Sequence, residues 1–438
     1  MSLAYRAKPQ SPASKGSPKH RIGIVAAGPR GGRGLGEMAM RSDIALLYIG
    51  RGVRGIGDGF AVIVLPAYLT AAGYDPVAIG AILTAALLGT AALTLSVGAI
   101  APRYDLRTLM IVGAALMVAT GFAFANVGGI ALIAIVACLG TINPATGDLG
   151  VLVPLEQSML AHSVANEERT RVFARYGLIG GLSTAAGALA AASPDFLVHL
   201  GMTQPDAFKI LFYAYAGLGA VCVLLYRQLP HVRAEAAPAA PLGPSRGIVY
   251  KLAALFSVDA FAGGFTGQSI LALWLFEKFH LSIAAASVFF FWTGILGAFS
   301  YPVAAWISRH IGLINTMVFT HIPSSIFLII AAFASDLKVV LGLLLVRAAL
   351  SQMDVPARTS YVMAVVTPGE RTAAASVTSV PRSLASAISP SIAGWLLTLS
   401  GFGWPLVIGG AIKAVYDLLL LAMFRHVRPP EERPQVST

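Results

Sequence analysis

Long apolar runs, interrupted by very few charges, constrain this chain more than any other feature. A helix needs about 20 consecutive apolar residues to cross a bilayer. Reading such runs between charged or Pro/Gly breaks yields twelve segments, near 44–70, 77–101, 108–126, 129–153, 171–192, 207–226, 250–276, 283–307, 313–334, 338–366, 372–398 and 404–424. The connections are mostly a few residues long and leave no room for a soluble domain. Charged residues make up 12% of the chain, against roughly 25% in an average soluble protein. Two cysteines exclude a disulfide scaffold. The predicted fold class is an all-α membrane protein with twelve transmembrane helices.

Basic residues set the orientation. With the N-terminus placed in the cytoplasm, the cytoplasmic segments hold 22 Lys/Arg and the opposite face holds 3, Lys209, Lys278 and Lys338. Short loops rich in Lys and Arg stay on the cytoplasmic side. Both termini are therefore expected in the cytoplasm, in a plasma (inner) membrane. The same asymmetry accounts for the net charge of +11. A nucleic-acid binder would need a basic patch on a soluble fold, which this chain lacks. Residues 1–42 are rich in Gly, Pro, Ser, Lys and Arg and are expected to be a disordered basic extension able to meet anionic headgroups. An alternative reading starts the chain at Met38 or Met40.

The segment 227–249, rich in Ala and Pro, divides the spans six and six. It reads as a cytoplasmic linker between an N-terminal half, 43–226, and a C-terminal half, 250–424, with 425–438 as a cytoplasmic tail. Local patterns recur across it. Gly98-Ala-Ile-Ala-Pro-Arg-Tyr-Asp105 ends span 2, and Ala305-Trp-Ile-Ser-Arg-His-Ile-Gly312 ends span 8. Glu168-Arg-Thr precedes span 5, and Glu370-Arg-Thr precedes span 11. Asn143-Pro-Ala in span 4 echoes Val355-Pro-Ala in span 10. The offset is a little over 200 residues each time, which indicates internal duplication.

In these respects the chain resembles the major facilitator superfamily. The signature loop of that family, G-x-L-A-D-R-x-G between spans 2 and 3, is matched at Gly98, Ala101 and Arg103, with Pro102 and Asp105 in place of the aspartate and the last glycine. Ser389-Pro-Ser-Ile-Ala-Gly394 in span 11 loosely matches its Gly-Pro packing motif. The resemblance covers about residues 42–424. It implies two pseudo-symmetric six-helix halves, alternating access, and a central cavity lined by spans 1, 4, 7 and 10.

Ionisable groups inside a bilayer cost several kcal/mol unless paired or hydrated, so they are functional candidates. Arg51, Arg54 and Asp58 share one face of span 1; Asp148 lies in span 4, with Glu156 at its end; Asp259 and Gln268 lie in span 7. Arg347, Asp354 and Arg358 share one face of span 10. Three readings stay open for them: structural ion pairs, bridges that break as the halves rock, and direct ligands. In the last, the arginines would grip an anionic group and Asp58 or Asp259 would carry a proton, since burial favours a neutral carboxyl. Six basic groups against about five acidic ones argue against a strongly charged solute. Lys413 and Asp417 read as a local i,i+4 pair, and His321 as a packed histidine. Trp274 and Trp404 read as interface anchors, and Phe289–Trp292 as a lipid-facing or core run. Arg103, Asp105, Arg309, Glu168 and Glu370 are the loop candidates for gating contacts.

No Gly-Lys dipeptide and no HExxH motif occur, so neither ATP, a metal nor another cofactor is expected. The chain reads as a monomeric secondary transporter of a small organic solute, proton-coupled, with export favoured by analogy with the resembled family. A membrane-embedded enzyme, a lipid-handling protein and a non-transporting sensor are the competing classes.

Overall fold

A computed structural model describes residues 31–145, 150–164, 166–233 and 242–427. Among these, sixteen α-helices account for twelve passes. In the first half these are α1 (Gly31–Ala71), α2 (Pro76–Ile100), α3 (Leu106–Asn126), α4 (Ile130–Leu139) with α5 (Leu152–His162), α6 (Asn166–Ala190), the short far-face α7 (Ser193–His199), and α8 (Gln204–Tyr226). The second half has α9 (Arg246–Phe265) with α10 (Gln268–Phe279), α11 (Ile283–Ile311), α12 (Leu313–Phe333), α13 (Leu337–Ser351) with α14 (Asp354–Val365), α15 (Arg371–Leu399) and α16 (Trp404–Phe424). Side-chain caps set many of the starts: Asp75 accepts from the Ala78 amide at 2.8 Å, and Asp336 from Lys338 at 2.7 Å. Helix α1 begins at Gly31, inside the segment expected to be disordered to residue 42. Once a turn exists, each further residue adds a hydrogen bond, so helix propagates past the apolar run.

Among the described residues, nine helical segments are long and apolar enough to span a membrane. The other three passes are α4–α5, α6 and α15. Spans 4, 7 and 10 are broken rather than continuous. Span 4 breaks around Asn143-Pro144, where a helix cannot form the bond that proline lacks. Span 7 breaks at Thr266-Gly267, and span 10 at Gln352-Met353. Pro356 sits in the first turn of α14, a position that tolerates it, and Pro390 lies within an unbroken α15. Irregular backbone at membrane depth survives only where protein or a cavity satisfies it. Here Ser269 donates to the carbonyls of Val62, at 2.8 Å, and Pro144, at 3.0 Å.

The apolar core shows which side is closed. One cluster lies wholly in the first half, around Met110, Leu152 and Met159. A second lies wholly in the second half, around Phe256, Met317 and Leu420. A third joins both halves and includes Ile63, Ile79, Phe212, Trp274 and Leu396. The shared cluster sits on the face opposite the basic loops, so the halves meet there and part toward the basic face. Trp274 is fully buried in it, with Lys278 over its ring at 5.0 Å, and is not an interface anchor. Trp404 is 44% exposed. The seal depends on small residues. A Cβ on Gly394 would overlap the Pro76 carbonyl, and one on Gly80 the Pro390 carbonyl, while Ser391 and Thr84 hydroxyls meet at 2.8 Å. The same close approach joins α1 to α6, where Gly59 meets the Thr184 carbonyl and Gly187 the Ile56 carbonyl.

Candidate functional site

Each half carries one cluster of buried charges. In the first, Arg54 on α1 reaches Glu156 on α5 at 2.7 Å and Asp58, one turn on, at 3.3 Å. The hydroxyls of Tyr176 on α6 and Tyr226 on α8 both donate to the same Glu156 carboxylate, which is fully buried. One side chain therefore ties together donors from three other helices. Arg51 lies over the Tyr176 ring at 5.3 Å. Asp148 lies outside the described residues.

The second cluster centres on Asp259 of α9, 4% exposed. It accepts from Arg358 on α14 at 3.2 Å and from Lys413 on α16 at 2.9 Å. Arg358 also holds Asp354, one turn away, at 2.9 Å. His321 on α12 places Nδ1 3.0 Å from Asp417 and Nε2 3.3 Å from the Lys413 ammonium. An ammonium only donates and an ionised carboxylate only accepts, which assigns the His321 proton to Nδ1. The expected Lys413–Asp417 pair is thus not formed. Both side chains instead reach other helices, because partners on α9 and α12 lie nearer than the next turn of α16. His321 joins the charge network instead of merely packing.

Two adjoining cavities lie at these clusters. The first, about 390 Å3, is lined, among the described residues, by Arg347, Arg358, Arg382, Lys413 and one carboxylate, Asp259. The span 7 break and the ring pair Phe289 and Phe290 also face it, so half of the aromatic run expected to be lipid-facing or core borders the cavity. The second, about 660 Å3, opens between α6 and α11 and is lined by Arg51, Arg171 and Arg175. Gln268, Phe290, Thr293, Tyr301 and Gln352 border both. The near balance of charge along the sequence does not hold inside the first cavity. Arg347 donates to the Thr266 hydroxyl at 3.5 Å, and among the described residues no carboxylate lies within 4.0 Å of Arg347 or Arg382. Asp58 pairs in the other half, and Asp417 turns to His321.

The loop candidates separate into two groups. Asp105 caps α3 through the Thr108 amide at 3.1 Å and meets His231 at 3.0 Å, beside a Leu106 amide bond to the Val232 carbonyl. Burial pushes its carboxyl up, but the Thr108 and His231 contacts outweigh this and hold it below the usual range. Glu370 accepts from the Thr367 hydroxyl at 2.6 Å and from the Gly243 amide. Bonds from Thr367, Ser245 and Gly243 bring its carboxyl down to about 2. These two acids hold the two described ends of the linker, one to each half. Arg103, Arg309 and Glu168 are exposed. Sequence reasoning placed Glu156 only at a span end and gave no site role to His321, Arg382, Lys413 or Asp417. The available signal was a lone charge in an otherwise apolar helix, as at Glu156 within Leu152–Leu160.

Two six-helix halves closed on one face, with broken helices around a cavity holding buried charges, define a membrane transporter. The chain belongs to the major facilitator superfamily, whose family model matches residues 47–322 and 252–438. It is 23% identical to the uncharacterized membrane protein YJR124C of Saccharomyces cerevisiae over 421 residues, covering 87% of this chain and 94% of that protein. Among solved structures it is similar to the nucleoside transporter NupG, with a TM-score of 0.67, 14% identity, and coverage of 87% of this chain and 99% of that one. The inward-open xylose transporter XylE from E. coli aligns with a TM-score of 0.69 at 12% identity, covering 86% of this chain and 95% of that one. These structural likenesses establish the fold.

Proposed function

We propose that the protein is a proton-coupled secondary transporter that moves a small organic solute by alternating access. It would work as a monomer in the plasma (inner) membrane, with both termini cytoplasmic and export as the net direction. The observation that supports coupling is the sharing of one buried carboxylate, Asp259, between Arg358 and Lys413 at the cavity wall. A proton on Asp259 would cancel the charge that holds both cations. The two side chains would then be released toward the cavity, and the contacts between α9, α14 and α16 would change together. The His321–Asp417 pair, buried behind Lys413, offers the proton a second acceptor next to that wall.

The first-half cluster has a different role in this reading. Glu156 has its three partners buried with it, so Arg54, Tyr176 and Tyr226 keep α1, α5, α6 and α8 together as one moving body. Asp58 belongs to that body, leaving Asp259 as the proton carrier. The bodies 43–226 and 250–424 rock about the far-face seal, and the 22-to-3 distribution of basic residues supports an open side in the cytoplasm.

Purified protein in liposomes with an imposed pH gradient tests the reading, using a broad panel of labelled solutes. Coupled flux is expected to be lost in Asp259→Asn while downhill exchange persists. Full coupled transport with unchanged pH dependence in that variant would remove Asp259 from the role.

A further inference from the structure

We propose that the solute is a small organic anion, whose carboxylate or phosphate group is held between Arg347, Arg382 and the N-terminus of α10. The proposal rests on the transporter reading above and names its substrate class.

The charges in the first cavity point one way. Among the described residues, four basic side chains line it against a single carboxylate, and that carboxylate is already shared by Arg358 and Lys413. Arg347 and Arg382 are left with no carboxylate within 4.0 Å among the described residues. Arg347 and Arg382 are half-buried at membrane depth; a guanidinium there without a counter-charge is unfavourable, and an anionic ligand supplies that counter-charge. A cation would meet the excess positive field, and a neutral solute would leave both arginines as they are. Guanidinium forks also match the paired oxygens of carboxylate and phosphate.

Backbone at the span 7 break adds to the site. Helix α10 begins there, and Gly267 gives it no side-chain cap. Its first residues, Gln268, Ser269 and Ile270, line the same cavity, so the amides of an uncapped helix start lie at the cavity wall. Arg347 is fixed beside this start by its bond to Thr266, the residue before Gly267. A volume of about 390 Å3 suits a metabolite-sized ligand. The rest of the wall offers hydrogen-bonding groups at Gln352, Ser383 and Ser386 and an apolar face at Phe289 and Phe290. The favoured solute therefore has one oxyanion group and a short body that is partly polar and partly flat.

Thermal unfolding of the full chain in lipid-free detergent tests this, at constant ionic strength. The probes are sodium benzoate, sodium succinate and glucose 6-phosphate, with glucose and choline chloride as neutral and cationic comparators. A short-chain phosphatidylglycerol forms a separate arm. At least one soluble anion is expected to raise the midpoint saturably. Arg347→Gln and Arg382→Gln should each raise its half-saturating concentration at least tenfold, while Lys209→Gln on the far face leaves it unchanged. If Arg347→Gln does not melt cooperatively, Arg347→Lys replaces it, and the loss of the fork should still weaken binding severalfold. The proposal is overturned by any of three results: no soluble anion acts, glucose or choline acts as well, or only the phosphatidylglycerol arm responds. An unchanged response in the Arg347→Gln/Arg382→Gln double variant also overturns it. The two readings fail separately. Arginine-dependent anion binding without proton-coupled flux leaves this site standing and removes coupling. Proton-coupled flux of an uncharged solute does the reverse.

Discussion

Replacing Glu156 by Gln is the most direct test of how the first half is held together. The substitution preserves volume, so no cavity contributes to its effect. It removes the charge that faces Arg54 at 2.7 Å, and it replaces one of two acceptor oxygens with a donating amide. Tyr176 and Tyr226 both donate to those oxygens, so one hydroxyl must turn or lose its partner. Arg54 keeps Asp58 at 3.3 Å, but that carboxylate is 20% exposed and is the weaker partner. Breaking a buried ion pair by removing one member costs about 3–5 kcal/mol. The remaining Asp58 contact argues for the lower end, about 3 kcal/mol. The measurement is reversible unfolding in mixed micelles for Glu156→Gln, Arg54→Met and the double variant. In the double variant neither charge is stranded, so it should be less destabilised than the sum of the singles by at least about 1 kcal/mol. A cost below about 1 kcal/mol for Glu156→Gln, or additivity within about 0.5 kcal/mol, would refute the tie between the four helices.

Two further predictions concern the ends of the molecule. Glu370 has a folded-state carboxyl near 2 against an ordinary value of 4.5, so between those values the unfolded form binds more protons. The linker clamp should be complete above pH 4.5 and lost as pH falls toward 2; hydrogen exchange at Gly243–Arg246 reads this, and an unchanged profile in Glu370→Gln would rule the clamp out. Gly394→Val places a branched side chain against the Pro76 carbonyl in the seal. It should shift the population toward the state open on the far face, raising alkylation of a cysteine introduced at Thr84, and equal labelling with and without the valine would show that the seal does not depend on that approach.

Much of the fold was legible from the sequence because its causes are local. Run length decides whether a segment can span, and a count of Lys and Arg in short loops shows that one face is basic. Spans 1 and 5 are both rich in glycine, and the close approach at Gly59 and Gly187 uses that property. The Thr266-Gly267 break was not anticipated, although Gly263-Gly-Phe-Thr-Gly-Gln-Ser269 carries the glycines and polar residues that favour one. Asp105 and Glu370 each sat in a loop with a counterpart in the other half and read as gates. Only their distances to His231 and Gly243 show that they hold the linker.

The sequence by itself determined that the chain spans a membrane twelve times, which face is basic, and which few ionisable groups lie within the spans. It could not determine their partners, because pairing depends on the rotation and depth of helices far apart in the chain. Lys413 and Asp417 are one turn apart, yet one meets Asp259, 154 residues away, and the other His321, 96 residues away. The ledger of charges is near zero when counted along the chain. The tertiary structure distributes it unevenly: among the described residues, no carboxylate lies within 4.0 Å of Arg347 or Arg382 in the cavity.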